Sequence, residues 1–326
     1  MGKLDKMTLV MDKVNLIKWR ADMIQSRTDL ALELQEDLQE NQIEGIRIER
    51  KRDQSCGISQ VKIVVETKEA ENRIGKPMGQ YITLESQKFL EEDESYYEEM
   101  SEALFLTLKE FITQEDKVLV VGLGNEKVTP DALGPLVIEH LFVTRHLKKN
   151  DLVEETMMEI SGMTPGVMAQ TGMETLEIIK GVVTEIKPTV VIVIDALAAR
   201  NSNRLNKTIQ ISNTGIAPGS GVGNHRKAIT KEVLNVPVIA IGVPTVISVP
   251  AIVGDAMDAI FHIVKESGGQ PLGDLFTEEE KYQLAREVVE PDLSDMFVTP
   301  KNIDEAVLRI SFTISEAINR YIELPK

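Results

Sequence analysis

Two aspartates, Asp131 and Asp195, stand where a pair of carboxylates can do acid–base chemistry. Asp131 lies in the loop after the apolar run VLVV, and Asp195 directly follows TVVIVI. In open α/β sheets ligands bind beyond the carboxyl ends of the strands, so two such carboxylates on neighbouring strands would share one crevice. If they approach, mutual repulsion keeps one protonated while the other is ionised, which is the pairing that activates water against a peptide carbonyl. Each aspartate also has a plain structural reading. Thr129-Pro130-Asp131 can open a helix, with Thr129 as cap and Asp131 in the first turn, and Asp195 can cap the turn that follows its strand.

The elements that must position them follow from hydrophobic pattern. From Lys117 onward apolar runs alternate with helical patterns: strand Val118 to Val121, helix Leu136 to His146, helix Thr171 to Ile186, then strand Thr189 to Ile194. Continuous β-branched runs between helices predict a mainly parallel sheet flanked by helices. A polar stretch follows Asp195, with one strand at Thr208 to Ser212; VPVIAIGVPTVI is a further buried strand, and Ala251 to Val264 a helix. Upstream, IEGIRIE, VKIVVE and QYITLE alternate with period two and predict an additional small antiparallel meander. A helix with Leu104, Leu108, Phe111 and Ile112 on one face links the two parts. At the carboxyl end Ile303, Val307, Ile310, Ile314, Ala317 and Tyr321 recur every three or four residues, the spacing of a core-facing helix. Near the amino terminus Met7, Val10, Met11, Val14, Leu16, Ile17 and Trp19 could form a ragged helical stripe.

Composition removes several classes. Acidic residues outnumber basic ones 52 to 36, for a net charge of -16, which disfavours broad attraction to nucleic acid. Cys56 is the sole cysteine, so an intrachain disulfide and a thiolate zinc cluster are both excluded. No apolar run approaches the roughly 18 residues that span a bilayer, and the amino terminus lacks the apolar centre of a secretory signal. These features predict a protein that stays inside the cell that makes it.

Other constellations are weaker. GLGN lacks the third glycine of a dinucleotide fingerprint, because Lys127 stands where it is needed, and PGSGVGN has no lysine in Walker order. A nucleotide-binding module is therefore a second, distant reading. Ser220 is not in a nucleophile elbow. His140, His146, His225 and His262 lack zinc-site spacing, so no metal and no cofactor are expected. His225, in a polar loop beside Arg226, is the histidine placed to meet a substrate; Asn125, Asn201 and Gly221 complete the substrate-binding candidates.

Between about Arg27 and Ile318 the chain resembles the germination protease family of spore-forming bacteria. The resemblance is carried by RTDLALE, GKPMGQYITLE, GLGNEKVTPDALGP, TGMETLEIIKGVV, the DALAAR segment running to HRKAIT, and IGVPTVI. It implies an atypical aspartic endopeptidase, related to hydrogenase maturation proteases, that degrades small acid-soluble spore proteins in the spore core during germination. The family's two aspartates carry over onto Asp131 and Asp195. The family is made as a zymogen and is expected to cut after an acidic residue, before an apolar residue followed by alanine. Asp29-Leu30-Ala31 offers that pattern, so processing is expected between Asp29 and Leu30, with residues 1–29 as propeptide and 30–326 as one protease domain carrying a β-rich insertion at about 43–90. Alternatively, Asp29 caps a helix beginning at Leu30. The resemblance also implies a homotetramer. The polar loop Ala196 to His225 is expected to bind substrate, with Asn201, Arg226 or the amides near Gly219 to Gly223 facing the oxyanion. A hydrogenase-maturation-type endopeptidase is the nearest alternative.

Overall fold

The computed structural model describes residues 29–33, 44–52, 57–86, 94–220, 226–266, 280, 284, 285, 287, 289, 293 and 295–323. The amino-terminal stripe, Cys56, Gly221 and His225 lie outside the described residues.

One sheet organises the molecule. Its strands are β1 (Ile46–Arg52), β2 (Ser59–Val65), β3 (Gly79–Glu85), β4 (Lys117–Gly122), β5 (Glu159–Met163), β6 (Val190–Ala199), β7 (Thr208–Ser212), β8 (Val238–Ser248) and β9 (Phe297–Val298). Across the sheet they run β1-β2-β3-β7-β8-β6-β4-β5, with β9 on the far end of β8. The block β5-β4-β6-β8 is parallel, and the expected meander β1-β2-β3 is antiparallel. The two parts are not separate, however. β7 pairs β3 on one side and β8 on the other, both antiparallel, and fuses them into one surface.

Helices cover both faces: α1 (Lys68–Ile74), α2 (Glu94–Leu108), α3 (Leu133–His140), α4 (Thr175–Ile186), α5 (Val249–Glu266) and α6 (Ile303–Glu323). Strand alternation decides which face each residue serves. Val118, Val120, Ile192 and Ile194 face the main core, which α2, α3 and α6 close. Leu119, Val121, Val191 and Val193 face the other side, where Leu176, Ile179 and Val183 of α4 meet them. The α6 residues picked out by their spacing are all buried, each worth about 1.5–3 kcal/mol for a side chain the size of Ile.

Three boundaries differ from the sequence reading. The helix expected over Leu136 to His146 is two pieces, α3 and Arg145–Lys149. Between them Thr144 is recruited by β5: its backbone N–H donates to the Ile160 carbonyl at 2.9 Å, its hydroxyl donates to the Met158 carbonyl at 2.6 Å, and the same Thr144 Oγ1 accepts the Ile160 N–H at 2.8 Å. The helix expected from Thr171 is interrupted at Gly172, which has φ of 70° and ends the short turn Met168–Thr171. Finally, the strand of TVVIVI does not stop at Ile194. β6 runs on to Ala199 because β8 continues beside it, with a register irregularity between Leu197 and Ala198.

Candidate active site

Asp131 is held by a turn that needs its glycines. A Cβ on Gly122 would stand 2.2 Å from the Gly134 carbonyl oxygen, and one on Gly134 would stand 2.3 Å from that of Leu123. Only bare backbones pack this closely, so the end of β4 and the start of α3 are pinned together. Gly124, at φ of +112°, turns the chain back so that the Asn125 N–H donates both to the Asp131 carbonyl oxygen (3.1 Å) and to its Oδ2 (2.8 Å). From β8 the buried Thr245 hydroxyl donates to the Pro130 carbonyl at 2.7 Å and fixes the other side of the turn. Thr129–Asp131 is a single 3-10 turn with no side-chain cap, so the helix-cap reading of Thr129 does not hold.

Asp195 arrives from β6. It sits inside that strand rather than after it, one residue beyond the point where β4 ends opposite Ile194. It therefore lies at the carboxyl end of β4, beside the Asp131 turn, which packs on β6 and β8. Only 5% of its surface is exposed. Burial pushes its carboxyl well above the usual carboxylate range, and the charges of Asp131 and Asp29 push it further. The Ala196 N–H and the Arg226 cation oppose them. Asp131 is half-buried and is also raised, by burial first, with the Asn125 N–H and Arg226 pulling it down. Two carboxyls that resist ionisation, the deeper one more strongly, form an acid–base pair that one proton can serve.

The residues read as a processing site lie against β6, near enough for the Asp29 charge to act on Asp195. Asp29 leads into a helical turn at 31–33. Its carboxylate accepts the Ala198 N–H (3.1 Å) and the Ser220 hydroxyl (2.5 Å). Leu30 is fully buried. The Asp29 carbonyl oxygen accepts from Lys76 Nζ at 2.9 Å and from Gln210 Nε2 at 3.2 Å, while Gln210 Oε1 accepts the Ala31 N–H at 2.7 Å. Ala31 and Leu32 pack against Ile63, Val65 and Tyr81 of the meander. Glu33, 1% exposed, accepts the Arg200 N–H (3.0 Å) and the Asn201 N–H (2.9 Å), with Arg204 Nε 3.7 Å away.

Among the candidates for substrate contact, Arg226 lies close enough to both aspartates to act on their ionisation. Asn201 contributes its amide to Glu33, and its side chain caps the next turn through the Asn203 N–H. The Asn125 side chain is taken up by the Lys127 N–H and by Gln170 Nε2, so this residue shapes the Asp131 turn. His140 stacks on Phe312, and His262 pairs with Glu266 on the exposed face of α5. Sequence reasoning missed Lys76 and Gln210. The one signal for Gln210 was a polar residue in the apolar strand TIQIS, and Lys76 was concealed in the turn Gly75-Lys76-Pro77. Among the described residues, no group of three His, Cys, Asp or Glu side chains could hold a metal ion, and no helix is long and apolar enough to cross a membrane.

Residues 23–272 match the family described as germination protease. The chain belongs to that family. Curated germination proteases resemble it over nearly their whole length: that of Caldanaerobacter subterraneus subsp. tengcongensis is 46% identical over 305 residues, covering 90% of this chain and 93% of the relative. That of Clostridium acetobutylicum is 43% identical over 308 residues, covering 90% and 94%. That of Bacillus cereus is 40% identical over 344 aligned positions, covering 90% and 92%. As a family member the chain is an endopeptidase, and the germination protease resemblance read from its motifs holds. Among solved structures it matches a NiFe hydrogenase maturation protease from Thermococcus kodakarensis at 16% identity and a TM-score of 0.32, over 65% of this chain and 99% of that one. The α/β assignment here stands on the strand order and its flanking helices.

Proposed function

We propose that this germination protease is an atypical aspartic endopeptidase in which Asp131 and Asp195 activate water, and that it cuts small acid-soluble spore proteins in the spore core. In this reading residues 1–29 are a propeptide, 30–326 are one protease domain assembled as a homotetramer, and the chain matures by cutting its own Asp29–Leu30 bond. The observation that carries it is that Asp29 is held on β6, the strand that bears Asp195, by the Ala198 N–H, with its charge felt by Asp195. The alternative, in which Asp29 only caps the following turn, leaves unexplained why its carboxylate is held by the remote Ala198 and Ser220.

The mechanism follows from the two environments. Asp195, the more deeply buried, holds the proton, and Asp131 is the ionised base. Asp131 takes a proton from water as the oxygen bonds to the carbonyl carbon. The carbonyl π pair moves onto its oxygen, which Asp195 protonates. Collapse of this adduct breaks the C–N bond, and the proton on Asp131 passes to the leaving nitrogen. One of the adduct's two hydroxyl protons returns to Asp195 and the other stays on the product, leaving a carboxyl and an amine and both aspartates as they began. The acidic residue before the cut is recognised by the donors that now hold Asp29, namely the Ala198 N–H and the Ser220 hydroxyl.

The test is cleavage of a peptide carrying Thr-Glu-Phe-Ala beside one with Gln for Glu. Cutting after Glu, at least 10-fold slower with Gln, is expected. Equal rates for both peptides would remove the acidic subsite, and metal dependence revealed by a chelator would remove the two-aspartate mechanism.

A further inference from the structure

The chain holds its own Asp29–Leu30 peptide against β6, with the Asp29 charge acting on Asp195, so the groups around the Asp29 carbonyl can be read as those that would meet a substrate's reacting carbonyl. Resting on the proposed cut between Asp29 and Leu30, we infer that Lys76 and Gln210 form the oxyanion-binding pair of this protease.

The argument begins with register. Asp195 on β6 is paired with Gly242 on β8, and Gly242 is paired with Gln210 on β7. Residues paired across neighbouring strands project to the same face. Asp195 and Gln210 therefore lie on one face of the sheet, about two strand spacings or 10 Å apart, with the Leu197 side chain packed over the intervening Gly242. The Asp29–Leu30 peptide is held from the Gln210 side: Gln210 Nε2 donates to the Asp29 carbonyl and Gln210 Oε1 accepts the Ala31 N–H, so one carboxamide grips the chain on both sides of the bond. This pattern also fixes the amide's orientation, since the flipped form would set oxygen against oxygen and N–H against N–H.

Lys76 approaches the same oxygen at 2.9 Å from the turn after α1. The charges of Asp29 and Glu33 act on this half-buried ammonium and favour its charged form. Its nitrogen also donates to a neutral carbonyl oxygen, the atom that gains charge when water adds to the adjacent carbon. Donors fixed on that atom before the reaction stabilise the transition state more than the ground state. The oxyanion role expected of Asn201 and of the loop amides passes to these two side chains, while Asn201 serves Glu33 instead.

The full-length chain provides the assay. First-order self-cleavage is followed by intact mass for Lys76→Met and Gln210→Leu, with hydrogen exchange at Leu30 to Glu33 reporting whether the segment stays docked. Each loss of a donor is expected to slow cleavage roughly 100-fold or more with segment protection retained. An unchanged rate, or a fall matched by loss of protection, would overturn the inference, since the residues would then be tethers only. Gln210→Leu decides by the same criteria if Lys76→Met does not fold. Asp131→Asn run alongside separates the two levels: if it self-cleaves normally the two-aspartate reading fails, and if it is inert while both donor variants cut normally, the oxyanion assignment alone fails.

Discussion

Replacing Gly124 by alanine should disable the enzyme without unfolding it, and the structure says by how much. The new Cβ would stand 1.9 Å from the Asp131 carbonyl oxygen, where ordinary contact begins near 3.4 Å, so the two must separate by about 1.5 Å. Alanine at a φ of +112° adds backbone strain of about 1–3 kcal/mol. The bonds from the Asn125 N–H to the Asp131 carbonyl and carboxylate, at 3.1 and 2.8 Å, stretch with that movement; losing the charged one costs about 1.5–3 kcal/mol. A total of about 2.5–6 kcal/mol is within what most domains of ordinary stability can lose. The carboxylate, however, is displaced by on the order of 1 Å, enough to reduce catalysis roughly 100-fold. Gly181→Ala in α4 is the control, since its Cβ would meet nothing within 4 Å and alanine favours the helix. Cleavage of the acidic peptide and thermal melting are measured for both. A Gly124→Ala rate within twofold of Gly181→Ala would refute the account of the turn.

Two further outcomes follow from the charges. A carboxyl whose folded pKa is raised gives up stability as pH climbs from its unfolded value, about pH 4, through its folded one. Asp195→Asn removes that loss, so the variant should melt above wild type at neutral pH, with the gap closing towards about pH 4; a gap independent of pH would contradict the burial of a titrating Asp195. Glu33→Ala removes a carboxylate that the Arg200 and Asn201 amides and Arg204 share, and should weaken docking of the amino-terminal segment by about 3 kcal/mol, which is roughly 100-fold faster exchange at Leu30 to Leu32 in the variant. Unchanged exchange would show that the carboxylate does not anchor the segment.

Much of this arrangement was legible in the sequence because it depends on local pattern. TVVIVI can only be a strand covered on both faces, and the α6 spacing can only be a helix with one buried side. The aspartates were legible as candidates because each follows such a run. What escaped depends on partners distant in the chain. Ala196 to Ala199 look like the start of a loop until β8 is seen to run beside them. Thr144 reads as helical until β5 claims its hydroxyl and its amide. The meander looks independent because nothing in QYITLE announces that TIQIS will pair with it. Lys76 and Gln210 meet only over the Asp29 carbonyl, and no periodicity records a contact made by three separate segments.

The central claim is that Asp131 and Asp195 together cut the Asp29–Leu30 bond. Intact mass spectrometry of the purified full-length chain, wild type beside Asp131→Asn and Asp195→Asn, before and after mildly acidic incubation, tests it most directly. Loss of residues 1–29 from wild type alone, with both variants folded and unchanged in mass, is the predicted result. Removal of the same segment from either variant at the wild-type rate would contradict it.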